Sequence, residues 1–115
     1  MKTIFVVDDT DTNLVMAKDA LENSYRVLTM PSAAKMFTIL NKVTPDLILL
    51  DIEMPEMDGF AALEKLKQNE QTAQIPVVFL TAHAEVRGSQ LGAADFITKP
   101  FSAPALQSRV AELIK

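Results

Sequence analysis

Pro45-Asp46-Leu47-Ile48-Leu49-Leu50-Asp51 contains four apolar residues in an unbroken run, introduced by a proline and an aspartate and closed by a second aspartate. The run has neither the three-to-four spacing of an amphipathic helix nor the alternation of a half-solvated strand. A strand buried on both faces fits it, and such strands belong to parallel sheets. Ile4–Val7 and Val77–Leu80 read in the same way. Two weaker stretches complete the set: Tyr25–Met30 alternates in part and ends at Pro31, and Ala94–Thr98 is short and runs into Lys99-Pro100.

Between these runs the apolar residues recur at helical spacing. Leu14, Ala17 and Leu21 form one stripe, Ala33, Phe37 and Leu40 a second, Phe60, Leu63 and Leu66 a third, and Leu106, Val110 and Leu113 a last one. Thr10 or Asp11, Ser32, Asp58 and Ser102 stand where helix caps are expected, with Pro104 tolerated in the first turn of the last helix. The segment from His83 to Leu91 is weaker, because Arg87 and Gly88 interrupt its apolar spacing, so the fourth of five expected helices is short or irregular. Alternating strand and helix units of this length imply right-handed crossovers and helices on both faces. The expected fold is α/β: a five-stranded parallel doubly wound sheet of order 2-1-3-4-5, flavodoxin-like in topology.

At 115 residues the chain has the length of one domain, 1–115, and 49% hydrophobic residues are enough for a core without a staple. With no cysteine and a single histidine, disulfides, zinc-thiolate sites and multi-histidine metal sites are excluded. A net charge of −4 argues against nucleic acid or an anionic membrane as partner. Ile4–Val7 is shorter than the ~7 apolar residues of a signal peptide or the ~18 of a membrane span, which gives a cytoplasmic expectation.

In open α/β sheets, ligands bind beyond the carboxyl ends of the strands. Asp8 and Asp9 follow the first strand, Asp51 the third, Thr81 the fourth, and Lys99 with Pro100 the fifth. Each taken alone reads as a cap or a surface residue. Together they put three carboxylates on one edge, where each close pair repels by up to ~4 kcal/mol at an effective dielectric near 20. Lys99 and an all-oxygen site for Mg²⁺ supply the compensation. Cation, lysine and hydroxyl around a carboxylate suit phosphoryl transfer, with Asp51 as nucleophile.

Val6-Val7-Asp8-Asp9, Leu49-Leu50-Asp51-Ile52-Glu53-Met54-Pro55-Glu56-Met57-Asp58-Gly59-Phe60, Leu80-Thr81-Ala82 and Asp95-Phe96-Ile97-Thr98-Lys99-Pro100-Phe101, in that order, resemble the receiver domains of bacterial two-component response regulators over essentially the whole chain. The resemblance implies that Asp51 takes a phosphoryl group from the phosphohistidine of a sensor histidine kinase or a histidine phosphotransfer protein. It also implies Mg²⁺, with Mn²⁺ able to substitute, held by Asp9, by Asp8 through water, by Asp51 and by the backbone carbonyl of Glu53. Thr81 would bind a phosphoryl oxygen, Lys99 would pair with the phosphate, and Thr81 and Phe96 would form the switch. The Lys99–Pro100 bond would be cis. Glu53 and His83 stand where side chains edge the phosphate. Met54, Pro55, Met57 and Gly59 read as turn and packing residues that shape the loop over Asp51. The implied output is a fused or separate domain, or a homodimer, reached through the face of the fourth helix, fifth strand and fifth helix. Thr81 to Lys99 spans 18 positions, roughly four fewer than the family usually has, or about one helical turn.

Three other readings compete. A phosphate-independent docking receiver keeps the fold without the chemistry. A small Mg²⁺-dependent phosphatase of haloacid-dehalogenase type would leave Asp51 without a role. A flavin- or nucleotide-binding module would need a glycine-rich loop after the first strand, whereas Gly59, Gly88 and Gly92 all fall later. The expected domain is therefore no enzyme beyond catalysing its own phosphorylation and dephosphorylation.

Overall fold

A computed structural model describes residues 1–82 and 92–114. Its elements run β1 (Thr3–Val7), α1 (Asp11–Leu21), β2 (Arg26–Met30), α2 (Ala33–Leu40), β3 (Leu47–Asp51), α3 (Gly59–Gln68), β4 (Val77–Thr81), β5 (Asp95–Thr98) and α4 (Ala103–Leu113). Helix α4 is the last of the five helices expected from the sequence; the expected short fourth helix, with His83, lies outside the described residues. Among the described residues no helix is long and apolar enough to cross a membrane.

All strand pairs are parallel and the order is β2-β1-β3-β4-β5, as expected. The unbroken apolar runs follow from burial on both faces. Ile4, Val6, Leu47, Leu49, Val78 and Leu80 face a core closed by α1 and α4, whereas Phe5, Val7, Ile48, Leu50, Val77 and Phe79 face one closed by α2 and α3. Successive side chains point to opposite faces, so a strand with helices on both sides needs apolar residues at every position. β2 and β5 form the two edges, which is why their sequence signal is weaker.

The helix stripes lie on the two cores, with Phe60 and Leu113 only half-buried and α2 shifted. In α2 the fully buried residues are Ala33 and Met36, and Phe37 and Leu40 are only half-buried against the same core. Ser32, Asp58 and Ser102 accept hydrogen bonds from the backbone N–H groups of Lys35, Ala61 and Ala105 and cap their helices. Thr10 occupies the N-cap of α1 without a side-chain cap bond. There the carboxylate of Asp8 takes the Thr10 N–H instead, at 2.9 Å.

Candidate functional site

Sheet register places the polar residues before any side chain is considered. Val7 pairs with Leu50, so Asp8 and Asp51 leave adjacent strands at the same level. Asp51 pairs with Leu80, putting Thr81 one step further on, and Thr81 pairs with Thr98, after which comes Lys99. The backbone N–H of Lys99 donates to the Thr81 carbonyl at 2.6 Å, which keeps the chain beside β4 as it turns away. The Lys99–Pro100 peptide is cis.

The side chains converge on that edge. Asp8 is fully buried, Asp51 is 4% exposed and Thr81 3% exposed, while Asp9 is exposed to solvent. Carboxylate oxygens of Asp8, Asp9 and Asp51 lie within 4.8 Å of one another. Lys99 Nζ stands 2.8 Å from Asp8 Oδ2 and 2.9 Å from Asp51 Oδ1, donating a hydrogen bond to the latter. The contact with Asp8 is an ion pair without hydrogen-bond geometry, so Asp8 Oδ2 is a buried oxygen with no hydrogen-bond donor among the described residues. A cleft of about 260 Å³ opens above, lined by Asp9, Thr10, Asp51, Glu53, Thr81, Ala82 and Lys99. An all-oxygen donor set with an under-satisfied buried carboxylate and a solvent-facing side fits a hard divalent cation that keeps part of its water shell.

Electrostatics register the crowding. Burial, with the neighbouring Asp8 charge, pushes the Asp51 carboxyl up to about 6 against the pull of Lys99. Burial alone would lower Lys99, but its hydrogen bond to Asp51 and its charge contacts with Asp8 and Asp51 outweigh it and the ammonium is held above its ordinary value. One positive charge thus serves two buried negative ones, and the site is left with a deficit of cation.

The expected residues Asp8, Asp9, Asp51, Glu53, Thr81 and Lys99 meet at one edge, Glu53 at the exposed rim of the cleft. Phe96 stands apart from it: half-buried on β5, it pairs in register with Phe79 and packs against the α2–α3 core. Thr10 does more than the capping expected of it, because its backbone N–H holds the Asp8 carboxylate. The signal was present in Asp8-Asp9-Thr10, since an aspartate accepts readily from the N–H two residues on. Gly59, expected as a turn residue, also packs against the site, where a Cβ would stand 2.5 Å from the Asp51 carbonyl oxygen.

Fold and site together define a small doubly wound α/β domain with an acidic, lysine-closed pocket at the point where strand order reverses. The chain belongs to the family of response regulator receiver domains, the receivers of two-component systems, whose profile matches residues 4–111. It is 41% identical over 112 residues to a probable cyclic di-GMP phosphodiesterase of Vibrio cholerae, covering 94% of this chain and 25% of that protein. A putative response regulator from Chloroflexus aurantiacus superposes with a TM-score of 0.92 at 29% identity, covering 98% of this chain and 97% of that one. The receiver domain of the sensor histidine kinase PA1611 from Pseudomonas aeruginosa, solved with a magnesium ion coordinated in its active site cleft, gives a TM-score of 0.89 at 26% identity, with 98% and 97% covered. The chain spans about a quarter of the length of its first curated relatives.

Proposed function

We propose that Asp51 is the phosphoacceptor of this receiver and that the phosphohistidine of a sensor histidine kinase or histidine phosphotransfer protein is the donor. The observation that carries the reading is the gathering of the Asp8, Asp9 and Asp51 carboxylates within 4.8 Å, with Lys99 reaching both buried ones. An Asp51 carboxylate oxygen attacks phosphorus, the P–N bond to the donor imidazole breaks, and the imidazole nitrogen keeps the bonding pair and later takes a proton. Asp8, Asp9, Asp51 and the backbone carbonyl of Glu53 are the groups to hold Mg²⁺, for which Mn²⁺ substitutes. The cation's contribution is to offset negative charge on the transferring phosphoryl oxygens.

Lys99 leaves its ion pair with Asp51 for the phosphoryl group, and Thr81 donates its hydroxyl to a phosphoryl oxygen. Thr81 and Phe96 then carry the change toward β5 and α4, where a fused or separate output domain, or a second copy of the domain, reads it. The site acts only on its own aspartate, without turnover of a separate substrate, and the domain works in the cytoplasm without binding nucleic acid or membrane. Glu53, on the rim, repels attacking water and small anionic donors, which sets the phosphate lifetime.

Mass spectrometry after exposure to acetyl phosphate or beryllofluoride tests the reading. A single adduct is expected that requires Mg²⁺ and disappears in Asp51→Asn. Wild-type protein without a metal-dependent, Asp51-dependent adduct would sink it and favour the phosphate-independent docking receiver.

A further inference from the structure

The loop from Ile52 to Asp58, which carries Glu53 over the cleft, is pinned at both ends to the backbone beside Asp51. At its start the Ile52 N–H donates to the Leu80 carbonyl at 3.2 Å, and at its end the Gly59 N–H donates to the Ile52 carbonyl at 2.7 Å. Gly59 packs so closely that no Cβ fits against the Asp51 carbonyl. Ile52 and Met54 are buried and Met57 is half-buried in the α2–α3 core. Within this closed loop the Met57 N–H donates to the Pro55 carbonyl at 2.8 Å, and the residue between them, Glu56, has φ of 70°. A three-residue turn with positive φ at its centre is the strained form of the γ-turn. Among the described residues Glu56 is the one non-glycine residue with positive φ, and its side chain is exposed.

With both ends fixed, Glu56 cannot relax to negative φ unless residues 53–57 move, and Glu53 is one of them. We infer that Glu56 is a positioning residue that sets cation affinity through backbone strain: the turn that presents Glu53 to Asp9 and Asp51 is opposed by an L-residue poorly suited to it. The inference rests on the metal-site reading above. Strain at functional sites has this character, being held in place by the surrounding structure and released by change at a single position. Its consequence is that residues tolerant of positive φ should favour the site-competent loop, and a β-branched residue should oppose it.

The test is a Mg²⁺ titration of the full 115-residue chain, followed by amide chemical shifts, with metal-free thermal midpoints measured in parallel. Glu56→Asn and Glu56→Gly are expected to tighten the Mg²⁺ dissociation constant by about three- to tenfold, and Glu56→Val to weaken it by a similar factor. Glu56→Gln, which removes the charge and keeps the backbone preference, should stay within about twofold of wild type. If Val does not fold there, the Gln, Asn and Gly variants still decide. Equal shifts in all three neutral variants would assign the effect to the carboxylate and overturn the inference. Midpoints that follow the backbone order while Mg²⁺ affinity stays constant would overturn it too, because the strain would then concern folding alone. Wild-type protein that gives no Mg²⁺ response would overturn the metal-site reading itself, a result distinct from wild-type binding that the variants leave unchanged.

Discussion

Asp51 is the residue at which folding and function oppose each other. Its pKa rises from 3.8 to about 6 because burial and Asp8 disfavour the anion more than Lys99 favours it. A carboxyl with a raised folded pKa destabilises the native state in full above that value, and the penalty is relieved as pH falls toward the unfolded value. In metal-free buffer Asp51→Asn should therefore be more stable than wild type above pH about 6, by on the order of 1–3 kcal/mol, with the advantage fading toward pH 4. Urea unfolding with a chelator at pH 7.5 and 4.5 measures this; an advantage that does not change with pH would assign it to packing instead. The identity of Asp51 was legible as an aspartate closing an apolar run. Its pKa was not, because the burial that raises it comes from the folded sheet edge and the charges that modify it come from Asp8 and Lys99, 43 and 48 positions away.

At the scale of elements, the junction of β3 and α3 concentrates the constraints. Asp58 caps α3, Gly59 opens it, and the glycine backbone lies against Asp51. Gly59→Ala would place its Cβ 2.5 Å from the Asp51 carbonyl oxygen and 2.8 Å from Ile52 Cα, both backbone atoms with little freedom to yield. The expected cost is about 1–3 kcal/mol of stability, together with slower labelling of Asp51 as its strand end is displaced. Denaturant midpoints and acetyl phosphate kinetics check the two effects, and an unchanged labelling rate would show that the shift is absorbed within α3. Caps at Ser32, Asp58 and Ser102 could be read in the sequence because a cap depends on neighbours three residues away. The deep burial of Met36, in place of Phe37 and Leu40, could not, because it depends on where α2 settles against β1 and β2.

For the molecule as a whole, the two cores hold a sheet whose carboxyl edge gathers more negative charge than Lys99 can offset. A cation that binds only the folded chain adds stability, about 2.7 kcal/mol at a hundredfold excess over its dissociation constant. Mg²⁺ should therefore raise the thermal midpoint of wild type and have little effect on Asp9→Asn, which keeps the buried Asp8–Lys99–Asp51 contacts; equal shifts in both would place the binding elsewhere. With the order taken from the common doubly wound arrangement, the sequence by itself determined the parallel sheet, the two-sided core and the residues at each strand end. These follow from apolar runs and turn residues, whose information lies within a few positions along the chain. Tertiary structure alone decided that one lysine spans two buried carboxylates and that Glu56 is forced to positive φ. Each of these depends on distances between segments that meet only once the strands are in register, and electrostatic and steric energies are set by those distances.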